Sequence, residues 1–356
     1  MSASPVLFTP GPTQVRPEVL EAFARPVISH RGPEIAAIIR DVLPALREVF
    51  GAKGDLLLSS SSASGLMEGA IRNLVDRRCL HLVCGAFGER WKTIALDCGR
   101  EADALRVEPG QPIRPEDLDR ALQQGQYEAV CLTHNETATG VTNPLAAIAE
   151  VMRRHPEVLL LVDAVSSLGG MPVEVDRHGI DVCLASVQKA MALPPGFSLC
   201  AVSPRALARA REMKGRGYYF DFVRLAEASA KGQPLATPSV SHLSALQAQL
   251  DIMAREGLPA RFARHEAMAA TVQAWALQRF GILAAEGCRS STVTCVVNTR
   301  KIAVADLLAR LKQRGYQISN GYGDLKEVTF RIGHMGEHTV QEVEALLSLL
   351  DELLAA

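Results

Sequence analysis

Val158-Leu159-Leu160-Leu161-Val162-Asp163-Ala164-Val165-Ser166-Ser167 and Val182-Cys183-Leu184-Ala185-Ser186-Val187-Gln188-Lys189-Ala190 are two apolar runs of strand length, each closing on polar or small residues. Near-continuous aliphatic runs of this kind are typical of strands buried on both faces of a parallel sheet. The breaker Pro194-Pro195-Gly196 follows the second run. Asp163 and Lys189 therefore fall at the carboxyl ends of two consecutive predicted strands. In an open α/β sheet that edge is where ligands bind.

The pattern continues outward. Upstream, the spacing predicts strands over 55–58, 80–84, 104–107 and 129–133, alternating with helices over 65–75, 87–98, 115–123 and 145–154; a further strand is expected over 198–203. Such alternation indicates βαβ units and a mostly parallel sheet flanked by helices. Phe8-Thr9-Pro10-Gly11-Pro12-Thr13 reads as an extended arm, because two prolines flanking a glycine cannot continue a helix. Residues 17–23 read as a short helix with proline in its first turn. Residues 35–50 have helical apolar spacing that Pro44 is expected to interrupt. From residue 239 the pattern changes to two long helices (239–256 and 259–280), then strands at 292–297 and 328–332 and helices at 303–314 and 340–354. The expected organisation is an N-terminal arm (1–15), a large α/β domain (16–255) and a smaller C-terminal α+β domain (256–356), since 356 residues exceed what one core usually reaches.

With 48% apolar and 22% charged residues and a net charge of −1, the chain has an ordinary globular composition. It offers no electrostatic reason to bind nucleic acid or an anionic membrane. Residues 1–12 lack the basic start and long apolar core of a secretory signal, and no apolar stretch is long enough to span a bilayer. None of the eight cysteines has a zinc-knuckle or redox-pair spacing, and Cys84, Cys131, Cys183, Cys200 and Cys295 read as small buried thiols. A reducing, cytoplasmic setting is expected. No HExxH pattern surrounds His334 and His338, and no metal site is expected.

Ahead of the helix at 65–75 stands Ser59-Ser60-Ser61-Ser62-Ala63-Ser64-Gly65. Small residues at a helix start leave backbone N–H groups open to a phosphate, although serine is also a common helix cap. Neither a Walker loop nor Gly-x-Gly-x-x-Gly after a strand is present, which weighs against a nucleotide enzyme. Thr133-His134-Asn135-Glu136-Thr137 adds polar side chains to the same sheet edge. Lys189, between an apolar strand and a breaker, is placed for burial, which lowers a lysine pKa toward the nucleophilic range. An amine able to form a Schiff base, beside a carboxylate able to hold a pyridinium nitrogen, is what pyridoxal phosphate requires of a protein. Arg331, in Val328-Thr329-Phe330-Arg331-Ile332-Gly333, is costly to bury without an anion. A substrate carboxylate, matched by the guanidinium fork, and an internal acid are its two candidate partners.

Taken together, Thr9-Pro10-Gly11-Pro12, Ser64-Gly65-Leu66-Met67-Glu68, Gly85-Ala86-Phe87-Gly88-Glu89-Arg90, Asn135-Glu136-Thr137, Asp163-Ala164-Val165-Ser166-Ser167, Ser186-Val187-Gln188-Lys189, Thr237-Pro238 and Arg331-Ile332-Gly333-His334-Met335-Gly336 run nearly end to end. In this order they resemble the class V, fold-type I pyridoxal phosphate aminotransferases of the alanine–glyoxylate and serine–glyoxylate (serine–pyruvate) group. The resemblance implies that Lys189 holds the cofactor and shuttles a proton, and that Asp163 pairs with the pyridine nitrogen. It places Val165 and Phe87 on the two ring faces and Thr137 near the ring hydroxyl. Ser62, Ala63, Ser64 and Gln188 would line the phosphate, joined by Thr237 from the partner subunit of a homodimer with shared active sites. Arg331 would take the substrate carboxylate, with the backbone at Gly11 closing over it. Two departures stand out: Phe87 where some members carry tryptophan, and Pro234 where some carry a tyrosine that reaches the neighbouring phosphate.

The implied activity moves an amino group from a small amino acid, alanine or serine, to a 2-oxo acid, glyoxylate or pyruvate. A cysteine desulfurase or related lyase of the same fold is the first alternative. It would be expected to place a histidine where Gln188 stands and a reactive cysteine on a mobile loop. A non-catalytic accessory subunit is the second, and it would need none of Asp163, Lys189 and Arg331.

Overall fold

The computed structural model describes residues 5–355; residues 1–4 of the expected arm and residue 356 lie outside the described residues. Seven strands form the main sheet: β1 (Asp55–Ser59), β2 (Arg78–Val83), β3 (Glu101–Arg106), β4 (Ala129–Thr133), β5 (Leu159–Asp163), β6 (Val182–Ser186) and β7 (Ser198–Val202). Their order across the sheet is β1-β7-β6-β5-β4-β2-β3. Only β7 runs against its neighbours. Among the described residues, thirteen α-helices accompany the strands: α1 (Pro17–Phe23), α2 (Pro33–Phe50), α3 (Ala63–Leu74), α4 (Ala86–Asp97), α5 (Pro115–Gln124), α6 (Leu145–Arg153), α7 (Val175–His178), α8 (Pro204–Glu212), α9 (Phe222–Ala230), α10 (Val240–Glu256), α11 (Leu258–Arg279), α12 (Val304–Gln313) and α13 (Val340–Ala355).

The aliphatic runs read as buried strands because both sheet faces are covered. Leu160 and Val162 of β5 join a core with α2, α5, α6 and α10. Leu159 and Leu161, pointing the other way, join a core with α3, α4, α8 and α9. A second, antiparallel sheet has the order β8 (Gly281–Ile282), β9 (Val293–Val297), β11 (Thr329–Gly333), β10 (Ser319–Asn320). It packs against α11, α12 and α13 through Trp275, Leu307, Phe330 and Leu346.

Two expectations need correction. Pro44 does not interrupt α2, which runs unbroken from Pro33 to Phe50. An interior proline costs about 3 kcal/mol, but Ile35, Ile39, Val42, Leu46 and Val49 are all buried along one stripe. At roughly 1.5–3 kcal/mol for each buried aliphatic side chain, the stripe outweighs the proline. The pattern reading also passed over α7, α8 and α9. Ser203 Oγ caps α8 by accepting from Ala206 N at 3.0 Å, and Asp221 Oδ1 caps α9 by accepting from Val223 N at 3.0 Å.

The arm spans both sheets. Val6–Leu7 pairs in parallel with Tyr316–Gln317, and the Phe8 ring stacks on His338 at 3.9 Å. Further along, Thr13 N donates to Gln188 O at 3.1 Å. A side chain at Gly333 would run into the backbone of Thr9 and Pro10, so that glycine lets the arm lie against β11.

Candidate active site

Asp163 ends β5 and pairs across to Thr133 on one side and Leu184 on the other. Lys189 stands in the turn after β6. The two residues are 3% and 9% exposed. They share a cleft of about 250 Å³ with Gly11, Ser62, Ala63, Ser64, Phe87, Thr137, Val165 and Gln188. Arg331 borders it from β11, donating from Nη1 to Thr137 O at 3.3 Å. Thr237 does not join them; it is exposed in a neighbouring recess with Ser60, Tyr219 and Pro234.

Local sequence explains each placement. Gly11 has φ +122°, and a Cβ there would sit 2.6–2.8 Å from Lys189 Cδ, Cε and Nζ, so only glycine lets the arm cross the lysine. Lys189 Nζ donates to Pro10 O. Ser62 is the N-cap residue of α3, yet its side chain does not cap the helix. The first turn of α3 therefore offers backbone N–H groups and free hydroxyls to an anion. Phe87 stands in the first turn of α4, where its N–H and that of Gly88 donate to Glu136 Oε2 at 2.9 and 3.2 Å. Glu136 is fully buried. Its carboxylate also fills the space a side chain at Gly85 would need.

The charged groups are tuned by burial. Burial pushes the Asp163 carboxyl up to about 7, against the hydrogen bond it accepts from Val165 N. That bond, 2.8 Å to Oδ1, is its one recorded partner among the described residues. Burial also brings the Lys189 amine down to about 8, helped by the nearby positive charge of Arg331. Arg331 is 8% exposed and its pKa is lowered by burial. Its Nε donates to Asn320 O at 3.1 Å. Among the described residues no carboxylate lies within ion-pair distance of it, and the buried Glu136 acts on its charge only through space.

Pyridoxal phosphate fits this donor set. A buried carboxylate short of partners suits a ring N–H⁺, an amine with a lowered pKa suits a covalent link, and the open start of α3 suits a phosphate dianion. Residues that sequence reasoning left without a role also reach the site. Arg90 lines the cleft, its guanidinium 4.8 Å above the Phe87 ring and donating to Tyr322 Oη at 2.7 Å. Tyr322 lies 5.5 Å from Phe87 and under Arg331 at 5.4 Å. Asn135 Nδ2 donates to Ser166 O and Thr292 Oγ1 at 2.8 and 2.7 Å, and Ser166 Oγ meets Thr137 Oγ1 at 2.5 Å. Arg90 and Asn135 stand inside the quoted motifs; nothing in the sequence pattern pointed to Tyr322.

The profile of the family Aminotransferase class-V matches residues 6–346. An uncharacterized aminotransferase of Methanocaldococcus jannaschii is 36% identical over 354 residues, 97% of this chain and 91% of that protein. Serine–glyoxylate aminotransferase of Arabidopsis thaliana is 33% identical over 356 residues, 96% of this chain and 87% of that protein. The crystal structure of an alanine–glyoxylate aminotransferase from Nostoc sp. superposes with a TM-score of 0.94 at 27% identity, covering 99% of this chain and 96% of that one.

Proposed function

The chain belongs to the class-V aminotransferase family, and from that premise we propose that it moves the amino group of a small amino acid, alanine or serine, to a 2-oxo acid, glyoxylate or pyruvate. The names of its relatives support alanine or serine as donor and glyoxylate as acceptor. The observation that carries the reading is the convergence of buried Lys189 and Asp163 in one cleft beside an arginine that makes no ion pair among the described residues.

Bound in this cleft, pyridoxal phosphate supplies an electrophilic carbon for the substrate nitrogen and a pyridinium ring that draws electrons from Cα. The chain's residues do the rest. Lys189 would hold the cofactor through its amine and, once released from it, would move the proton at the substrate Cα. Asp163 keeps a proton on the ring nitrogen. Phe87 and Val165 confine the ring between two apolar faces. The start of α3, with Ser62, Ala63 and Ser64, holds the phosphate, and Gln188 adds its amide. Thr137 sits at the ring hydroxyl. Arg331 orients the substrate by its carboxylate, and Gly11 and Pro10 close the arm over it, excluding water.

Thr237 lies outside the cleft of its own chain. We assign it to the phosphate of a second copy in a homodimer. No helix among the described residues is long and apolar enough to cross a membrane. The cysteines are unpaired, in keeping with a reducing compartment.

Adding amino acids singly to the cofactor-loaded protein, and following loss of the visible absorption of lysine-linked cofactor, tests the reading. Alanine or serine should convert the cofactor to its amine form, and glyoxylate or pyruvate should restore it. Release of sulfide from cysteine without any 2-oxo acid would instead favour a desulfurase.

A further inference from the structure

Away from the cleft, three buried side chains converge on one face of the large sheet. Cys79 and His81 alternate along β2, and the parallel pairing of β2 with β4 sets His81 opposite Cys131. Alternate positions project to the same face of a sheet. All three therefore meet next to α4, whose Trp91 ring lies edge-on to the His81 imidazole at 6.3 Å. The two sulfurs and a ring nitrogen lie within 4.8 Å of one another. Cys79 Sγ is 3.3 Å from His81 Nε2. None of the three is more than 2% exposed.

Ordinary packing does not explain this arrangement. A buried imidazole needs a partner for each nitrogen. Here Nε2, the nitrogen turned to the cluster, faces only a sulfur, which hydrogen-bonds weakly; Nδ1, on the other side of the ring, has no partner among the described residues. Two thiols and an imidazole are thus gathered in one buried layer, with Cys79 Sγ also 3.8 Å from Glu101 O.

We propose that Cys79, His81 and Cys131 bind a single thiophilic metal ion of the Zn²⁺ or Cu⁺ class, in a site separate from the catalytic cleft. Bonds of about 2.3 Å place ligand atoms roughly 3.8 Å apart around a tetrahedral Zn²⁺, which would add a water as its fourth ligand, and about 4 Å apart around a three-coordinate ion, within the span seen here. Thiolate and imidazole ligands suit both ions. On binding, the S–H bonds of Cys79 and Cys131 both break, the two protons go to solvent and an electron pair from each sulfur goes to the metal. Two thiolates and a neutral imidazole leave a divalent ion uncharged overall and a monovalent one with a single negative charge. The ion would tie β2 to β4 at a point where no ligand spacing shows in the sequence, because Cys131 arrives only through strand pairing.

The test loads reduced, cofactor-bound protein with Zn²⁺ alone or Cu⁺ alone, desalts it, and counts metal per chain. Wild type should retain one equivalent of at least one of the two ions. Cys79→Ala and Cys131→Ala should each weaken retention by more than about 100-fold, the upper end of what a merely supporting residue contributes, with turnover unchanged. The ion retained better decides between the two metals. X-ray absorption at the metal edge of wild type should count two sulfur neighbours and one nitrogen, and this reading stands even if a variant fails to fold. No retained metal, equal retention in the variants, or a metal surrounded only by oxygen and nitrogen would overturn the proposal.

Discussion

Two buried guanidinium groups lie on either side of the Lys189 turn, and the chain treats them in opposite ways. Arg261, at the start of α11, is 0% exposed. Its Nη1 meets Glu256 at 2.9 Å and Glu337 at 2.7 Å. Its Nε donates to Gly169 O at 2.8 Å and its Nη2 to Ala190 O at 2.7 Å. Arg331, nearly as buried, donates only to two backbone carbonyls. Desolvating a charge costs several kcal/mol, and a fold tolerates that when a partner makes up the loss. At Arg261 the partners belong to the chain, and the group braces the backbone beside Lys189. At Arg331 the proposed partner is a substrate carboxylate. A buried charge fully met by the chain marks structure, and one left unmet marks a ligand site.

The largest effect that tests this contrast is expected at Lys189, which lies between the two. Lys189→Ala should lower turnover by about 10⁴-fold, the top of the range for a positioned proton carrier. It should leave the melting temperature unchanged or raised, because a poorly solvated amine has been removed. Substantial remaining turnover would refute its role. Arg261→Met should show the opposite signature, costing about 3–5 kcal/mol of stability by stranding buried carboxylates, read from denaturant midpoints. Arg331→Ala should weaken amino-acid and oxo-acid binding by roughly 2–5 kcal/mol with little loss of stability. An unchanged Michaelis constant for both substrates would erase the contrast.

The pH dependence separates the regions further. Cofactor uptake by the cofactor-free protein should speed up as pH rises through about 7, where Asp163 ionises, and again through about 8, where Lys189 loses its proton. Asp163→Asn should remove the lower step. The Arg261 brace should not respond over that range. Burial raises the pKa of Glu256 and Glu337, but their arginine partners pull both below the ordinary value. The smallest change is expected at Phe87. Phe87→Leu should lower cofactor affinity by about 0.5–1.5 kcal/mol, the worth of one aromatic stack, measured by equilibrium titration.

Much of the large sheet was legible in the sequence because its strands are buried on both faces and read as unbroken aliphatic runs. Strand β4 was anticipated over the same residues, 129–133. Helix α8 was passed over because a short, arginine-rich segment carries little apolar periodicity, although Ser203 and Pro204 mark its start. The pairing of Val6–Leu7 with Tyr316–Gln317 joins segments too short and too distant for any local pattern to show. Within the cleft, residues on strand ends and helix starts were readable because topology alone puts them at one edge. Tyr322 and the Glu136 link to α4 were not, because each depends on a tertiary approach between distant segments.

The proposed role of Lys189 as the cofactor's anchor is tested most directly by loading the protein with pyridoxal phosphate, fixing the bound cofactor by borohydride reduction, and mapping the labelled lysine by peptide mass. One label per chain is expected, on Lys189. A label on any other lysine, or none, would contradict it.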